Sequence, residues 1–325
     1  MLGLLLGSLA LAARGAPAQP HTRLVRSHIS LSSSPESPEA PRYGNAQILG
    51  AFPFPLTELL LPGETKELHL FEERMTSLLE HSLKTGSLVA QMAFTDSGSA
   101  LAVCSLLSVE FILQRDVGLN VVVRSVGRLR IVTINSAEPF ISALFTGVDD
   151  EPLTTAAQRS YLKKQLVELL VLHDSCRLLR ERLLRACLEE GKPLVVELGD
   201  DGDDEDVDVN GTVTWGHQLT RPDSGFAKPF EAQLAEALEA FEAARKKCEA
   251  LPVTLLGKVH PEDLEFSVAT MLACACFPTT TRLAAFAELD SAQRMDTVLA
   301  LLAEQQKVLR AKLALVVVFG SSSSS

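Results

Sequence analysis

The stretch FPFPLTELLLPGETKELHLFEERM (residues 52–75) contains two apolar runs, a turn between them and an abruptly charged end. Pro62 and Gly63 are the turn signal, because proline presets φ and glycine tolerates a positive φ. Residues 66–71 largely alternate polar and apolar side chains, which predicts a short half-buried strand. We therefore expect the two runs to form a β-hairpin, with a helix beginning after Phe71.

Beyond Phe71 the apolar period changes from two residues to three or four, which predicts a helix over residues 72–84. Gly86 ends this helix. Further short strands are predicted over residues 87–94, 100–107, 109–114, 118–126, 129–134 and 140–145. Closely spaced strands with one inserted helix favour a small barrel or sandwich over repeated βαβ units.

After Pro152 the pattern becomes helical. Thr155 and Gln158 have the spacing of a capping box, and Asp290 and Gln293 repeat it later in the chain. Amphipathic segments begin near residues 155, 229, 261 and 290. We predict a helical bundle over residues 153–318 and a disordered, serine-rich tail over residues 319–325.

Residues 1–45 do not have the composition of a folded domain. Arg14 is the first charged side chain, no acidic residue precedes Glu36, and serine and proline are abundant from Ser27 onward. Few acids together with arginine and serine are typical of an organellar transit peptide, so we expect a chloroplast protein, with the mitochondrion as the alternative. A secretory signal is the competing interpretation, because residues 1–13 are nearly all apolar, although this run is too short to span a bilayer.

The charge of the chain argues against two classes of partner. The formal net charge is −11, which opposes contact with phosphate backbones and with anionic membranes. We therefore expect neither a nucleic-acid nor a membrane partner. The six cysteines are scattered without a disulfide framework, which favours reduced, buried thiols.

An acidic loop over residues 198–226 contains the one segment that resembles a metal site. Asp206, Asp208 and Asn210 match the first half of a calcium-binding loop, in which oxygen ligands alternate around a hard cation. The twelfth position should supply a bidentate glutamate, but it is His217. We therefore favour a solvated acidic linker and expect no metal.

No motif for nucleotide or nucleophilic chemistry occurs in the sequence. The Gly-Lys pairs lack the flanking residues of a phosphate-binding loop, and no G-x-S-x-G elbow is found. We expect no catalytic residue and no cofactor.

Two blocks of the sequence resemble the LON domain, the amino-terminal substrate-binding domain of Lon proteases, which also occurs as stand-alone proteins of plant and algal organelles. The first block is FPLTELLLPGETKELHLFEERMTSLLEHSL (residues 54–83), and the second is LNVVVRSVGRLRIVTINSAEPFISALFTGVDDEP (residues 119–152). The matching positions are Pro55, Leu56, Pro62, Gly63, Leu68, Leu70, Phe71, Glu72, Arg74, Arg124, Arg128, Arg130, Ile131 and residues 149–152. The chain departs from the pattern at Glu73, Met75, Ser125 and Leu129.

The resemblance implies an α+β fold, with a PUA-like small β-barrel and one inserted helix over residues 46–152 and a C-terminal helical bundle after it. It also implies a non-enzymatic module that binds unfolded or extended polypeptides, in organellar protein quality control or as an adaptor to an organellar protease. The alternatives are an RNA-binding PUA-like protein or an enzyme of unrecognised type. We expect the matched residues to be mainly structural, with Phe71 buried, with residues 72–74 fixing the strand-to-helix junction, and with the client surface on the barrel.

Overall fold

The computed structural model describes residues 46–114, 118–189, 228–249, 255–257 and 259–320. This part of the chain forms a six-stranded sheet, one helix inserted between the second and third strands, and five helices after the sheet. The strands are β1 (Ala46–Pro55), β2 (Thr65–Leu70), β3 (Leu88–Phe94), β4 (Val103–Gln114), β5 (Leu119–Ser136) and β6 (Ile141–Val148). The helices are α1 (Glu73–Lys84), α2 (Ala156–Glu189), α3 (Phe230–Glu249), α4 (Pro261–Cys274), α5 (Thr279–Ala287) and α6 (Ser291–Gly320).

Five of the strands pair side by side to form a closed ring. β1 pairs parallel with β3, and the antiparallel pairs β3–β4, β4–β5, β5–β6 and β6–β1 complete the ring. β2 lies outside the ring and pairs with the first part of β5. The predicted mixed fold, with one inserted helix and C-terminal helices, is confirmed, but the sheet is not a regular barrel because β2 and parts of β4 and β5 extend beyond the ring.

The predicted hairpin between the first two apolar runs is wrong. β1 pairs with β3 and β6, whereas β2 pairs with β5. The connecting segment is held instead by the buried side chain of Gln91 in β3, which accepts a hydrogen bond from the Leu60 amide at 2.9 Å and donates one to the Glu58 carbonyl at 2.8 Å. Gly63 has φ of +99°, as a turn glycine should, and its amide donates to the Ser125 carbonyl in β5 at 2.8 Å. The turn therefore directs the chain to β5 rather than back to β1.

The strand boundaries predicted within β4 and β5 are also wrong. Each of these strands is continuous, at 12 and 18 residues, where two shorter strands were expected. β-Bulges shift the register near Leu106 and between Val109 and Phe111, so the strands bend without ending. Helix α5 was not predicted, because its nine residues begin with three threonines, which have a low helix propensity.

Two apolar clusters stabilise the fold. The larger cluster fills the ring and continues into helices α2, α3, α4 and α6, with fully buried residues that include Phe145, Phe230, Phe266 and Leu302. The smaller cluster joins Leu78 and Leu79 of α1 to side chains of β2, β4 and β5, including Leu68, Val109 and Val121. No helix within the described ranges is long and apolar enough to cross a membrane.

Candidate functional site

One part of the sheet extends beyond the ring, and we call it the open arm. It consists of β2, residues 109–114 of β4 and residues 119–124 of β5. Its inner face packs on α1 through the smaller apolar cluster. Its outer face lies on the opposite side, since side chains alternate between the two faces of a strand.

The outer face of the open arm carries large exposed apolar side chains. The exposed fraction is 65% for Phe111 and 57% for Leu113, which lie two residues apart on β4. Phe71, directly after β2, is 67% exposed. Ile112, whose side chain is on the inner face, is still 38% exposed because it lies at the edge of the sheet. Several exposed apolar side chains close together on a folded chain indicate an interaction surface.

A polar cluster lies across β2 and β5 beside these apolar side chains. His69 Nδ1 and Asn120 Oδ1 are 2.7 Å apart, and the Asn120 amide donates to the Glu67 carboxylate at 2.7 Å. Asn120 lies on β5, the middle strand of the open arm. It is directly opposite Leu113 of β4 and also directly opposite His69 of β2, so all three side chains lie on the outer face. The cluster fixes the orientation of its members and leaves the apolar residues to provide the adaptable contacts.

The open arm has two open strand edges within the described part of the chain. β3 pairs with β4 only as far as Ser108, so residues 110–114 have β5 as their one described partner strand. β2 likewise has β5 as its one partner among the described strands. An open edge presents backbone N–H and C=O groups to which an extended polypeptide can pair.

The junction between β2 and α1 differs from the expectation at one residue. Glu72 is the N-cap residue of α1, and its carboxylate binds Arg74 Nε at 2.6 Å, at an exposed position. Phe71 was expected to be buried, and this is wrong. The strand ends at Leu70, which is buried, so the next side chain points to the opposite, solvent-facing side.

Five other LON-motif positions lie in the scaffold. Pro55 is exposed at the end of β1, Leu56 packs partly against the larger cluster, and Pro62 and Gly63 are buried in the turn. Leu70 belongs to the smaller cluster. None of these side chains lies on the outer face of the open arm.

Arg128 belongs to a buried ionic cluster that joins the sheet to the helices. Its guanidinium binds the Asp150 carboxylate and donates to the Phe286 carbonyl at 2.8 Å. Arg294 on α6 binds the same carboxylate and donates to Thr270 Oγ1 at 2.8 Å. Burial raises the pKa of Asp150, but Arg294 and Arg128 outweigh this effect, so the pKa of Asp150 lies below its usual value. The cluster is a structural clamp, since one buried carboxylate binds a guanidinium group from the sheet and another from α6.

A second buried ion pair lies at the Pro62–Gly63 turn. The Glu64 carboxylate is 3% exposed, accepts from the Leu61 amide at 2.5 Å and binds Arg282 Nη2 at 2.7 Å. Burial raises the pKa of Glu64 despite the opposing effect of Arg282. Sequence reasoning missed Arg282 and Arg294, because polar residues are their neighbours in the sequence and nothing there indicates burial.

A small cavity adjoins the Asp150 clamp. Its volume is about 60 Å³, and Arg128, Asp149, Asp150, Arg245 and Asp263 are among the residues that line it. Such a volume accommodates about two water molecules, each of which occupies roughly 30 Å³ in the liquid. A cavity of this volume is too small for a nucleotide.

The structure brings together no metal site in the part of the chain that it describes, where no group of three or more potential ligands is found. The calcium-loop candidates Asp206, Asp208 and Asn210 lie outside the described residues, as does the whole acidic loop over residues 198–226. Cys274 and Cys276 are free thiols, and burial raises the pKa of Cys274 to about 12, which makes it a poor ligand and nucleophile.

No protein-family model matches the chain, and no curated protein matches it. Solved structures are similar to it, and two of them are described here. A Lon N-terminal domain protein from Xanthomonas campestris is 23% identical over 37% of this chain and 74% of that chain, with a TM-score of 0.29. The N-terminal domain of the Mycobacterium avium complex Lon protease is 12% identical over 82% of this chain and 98% of that chain, with a TM-score of 0.33.

Both matched structures are Lon N-terminal domains, in agreement with the family whose motifs the sequence resembles. At these identities and TM-scores the likeness says nothing about function.

Proposed function

We propose that this protein is a non-enzymatic module that binds unfolded polypeptides at the open arm. The observation that supports this proposal is the open edge of β4 at residues 110–114, which carries the exposed side chains of Phe111, Ile112 and Leu113. An extended segment adds to this edge as a further strand, and main-chain hydrogen bonds hold it regardless of its sequence.

The side chains at the edge select the kind of segment that binds. Phe111 and Leu113 are exposed on the outer face, and Ile112 is partly exposed on the inner face. A strand beside them therefore meets apolar surface on both of its faces, whereas a strand at the surface of a folded protein has one polar face. The preferred ligand is a continuous apolar segment of about five residues, of the kind that is buried in folded proteins.

Binding of a single segment is expected to be weak. The open edge spans only a few residues, and ordering an unfolded segment costs about 2–5 kcal/mol of the gross interaction energy. Weak, sequence-tolerant binding suits a module that samples unfolded chains, because release must remain fast. A role in organellar quality control, or as an adaptor to an organellar protease, is the finer form of this proposal, which the LON-motif resemblance and the composition of residues 1–45 support.

The proposal is tested by titrating the full chain into fluorescently labelled α-lactalbumin that has been reduced and carbamidomethylated. This probe is unfolded and acidic, so charge attraction to a chain of net charge −11 cannot explain binding. The double variant Phe111→Ser/Leu113→Ser should weaken binding on the order of tenfold or more, as expected for loss of central apolar contacts.

Leu83→Ser is the matched control, since Leu83 is also an exposed leucine, at 46%, but lies on α1. Equal binding by the control and by wild type supports the proposal. Unchanged binding by the double variant, with its fold verified by circular dichroism, overturns it. Binding of labelled single-stranded RNA in place of the polypeptide would favour the RNA-binding alternative.

The organellar part of the proposal has its own test. Mass spectrometry of the mature protein should find an amino terminus between Ser27 and Asn45. An intact Met1 would reject organellar import. So would a start near Pro17 together with a glycan on Asn210, which begins the N-glycosylation sequon Asn210-Gly211-Thr212.

A further inference from the structure

We propose that the open edge of β4 also pairs with the same edge of a second copy of this chain, so that the client-free protein forms a weak two-fold dimer. Residues 110–114 have the sequence Glu-Phe-Ile-Leu-Gln and have no second partner strand among the described residues. The edge lacks the lysine or proline that commonly prevents one sheet edge from pairing with another.

The edge is complementary to itself. In an antiparallel pair with a two-fold axis at Ile112, the Ile112 side chains of the two copies lie side by side on the inner face. On the outer face, Phe111 of each copy lies beside Leu113 of the other. An isologous interface requires this reciprocity, in which residue i contacts residue j and residue j contacts residue i. The exposed apolar side chains thus meet apolar neighbours on both faces.

The charges at the edge permit this register. Glu110 comes opposite position 114 of the second copy, which is a glutamine, so no carboxylate faces its own counterpart. The Glu110 carboxylate is already bound by Arg124 Nε at 2.5 Å, and both side chains are largely buried. The pair therefore contributes little repulsion between the two copies.

The size of the contact predicts a weak dimer. Three partly exposed side chains from each copy bury on the order of several hundred Å² in total, below the roughly 1,200 Å² at which stable interfaces begin. We therefore expect a concentration-dependent equilibrium rather than a permanent assembly.

This dimer has a regulatory consequence, which rests on the proposed function. Client and second copy use the same backbone groups, so each excludes the other. A high concentration of free protein would then cover the client surface, and the arrival of a client would release monomers.

The first test introduces a cysteine at the proposed two-fold axis. Directly opposed residues of an antiparallel pair have Cα atoms about 4.5–5.5 Å apart, which is within the range that a disulfide can bridge. The full-chain variant Ile112→Cys should form a covalent dimer under mild oxidation. Leu83→Cys is the matched control, because it places a cysteine at a comparably exposed site away from the edge. Equal dimer yields from the two variants would overturn the proposal.

The second test uses charge to control the pairing. One variant carries Phe111→Lys and Leu113→Lys, and another carries Phe111→Glu and Leu113→Glu. Sedimentation equilibrium should show a concentration-dependent dimer for wild type, monomers for each variant alone, and a heterodimer for their equimolar mixture. A wild type that stays monomeric, or a dimer that persists in both variants alone, overturns the proposal.

The outcome is separable from that of the proposed function. Binding of the unfolded α-lactalbumin probe without any wild-type dimer rejects self-association alone. A wild-type dimer that fails to bind the probe in its dissociated state supports self-association and rejects the polypeptide-binding function. If both hold, added probe should lower the dimer fraction of wild type in proportion to the probe bound.

Discussion

Arg294 on α6 and Arg128 on β5 bind the same carboxylate, that of Asp150 at the end of the sheet. All three side chains are nearly inaccessible to solvent. Arg294 also donates to the Glu288 carbonyl at 2.6 Å, and Ser291 donates to Asp150 at 2.9 Å. One acidic residue therefore joins the last helix directly to the sheet.

Replacing Asp150 with alanine should destabilise the fold strongly. The change leaves two buried guanidinium groups without their carboxylate, and breaking a buried ion pair in this way costs about 3–5 kcal/mol. Urea unfolding followed by circular dichroism measures the loss.

Glu304→Ala is the control for this prediction. Glu304 also pairs with a basic residue, Lys307 at 3.0 Å, but both side chains are mostly exposed, so the pair should contribute little. Similar midpoints for the two variants would show that the Asp150 cluster does not clamp the helices to the sheet.

The lowered pKa of Asp150 predicts how the free energy of unfolding depends on pH. Arg294 and Arg128 hold the pKa of Asp150 below its usual value, so its contribution is present above the unfolded-state pKa of about 3.9 and is lost as pH falls through the lower, folded-state pKa. The difference in unfolding free energy between wild type and Asp150→Asn should therefore be largest near neutral pH and shrink below about pH 4. Urea titrations at several pH values measure it, and a difference that is independent of pH would refute the assignment.

A glycine at the tip of the open arm should be more sensitive to substitution than a glycine in an exposed turn. Gly118 and Gly98 have nearly the same φ, at +77° and +78°. A Cβ atom at Gly118 would come within 2.4 Å of the Leu70 carbonyl oxygen, whereas nothing lies within 4 Å of a Cβ atom at Gly98. Gly98→Ala should cost about 1–2 kcal/mol from backbone strain alone, and Gly118→Ala should cost more. Equal losses in thermal unfolding would mean that β2 does not pack closely on the start of β5.

Local signals in the sequence predicted the elements that depend on neighbouring residues. Thr155 and Gln158 do form a capping box, with the Gln158 amide 3.1 Å from Thr155 Oγ1 and the Thr155 amide 3.0 Å from Gln158 Oε1. Asp290 caps α6 by accepting from the Ala292 amide at 2.8 Å, but its own amide donates to Glu288 at 2.9 Å rather than to Gln293, so only half of the second predicted box forms. Such contacts span two to four residues, so their spacing is visible in the sequence.

Long-range relationships were not predictable in the same way. A Pro-Gly turn between two apolar runs normally indicates a hairpin, but here Gln91 and Ser125, distant in sequence, determine where the second run pairs. The partners of Asp150 lie 22 residues before it and 144 residues after it. The open edge at Phe111 and Leu113 exists because the first residue of β3, Leu88, pairs with Ser108, so that β4 continues past β3. The sequence of β4 by itself does not show where this pairing stops.

Hydrogen–deuterium exchange of the full chain, with and without saturating unfolded α-lactalbumin, tests the central proposal most directly. Binding as an added strand should slow exchange of backbone amides in residues 110–114, because amides at the open edge gain hydrogen-bond partners. The exposed face of α2 around Val167 and Val171 provides the internal comparison and should not change. Slower exchange at residues 110–114 with no change on α2 is the predicted result. Unchanged exchange at residues 110–114 under conditions in which the probe is bound would contradict it.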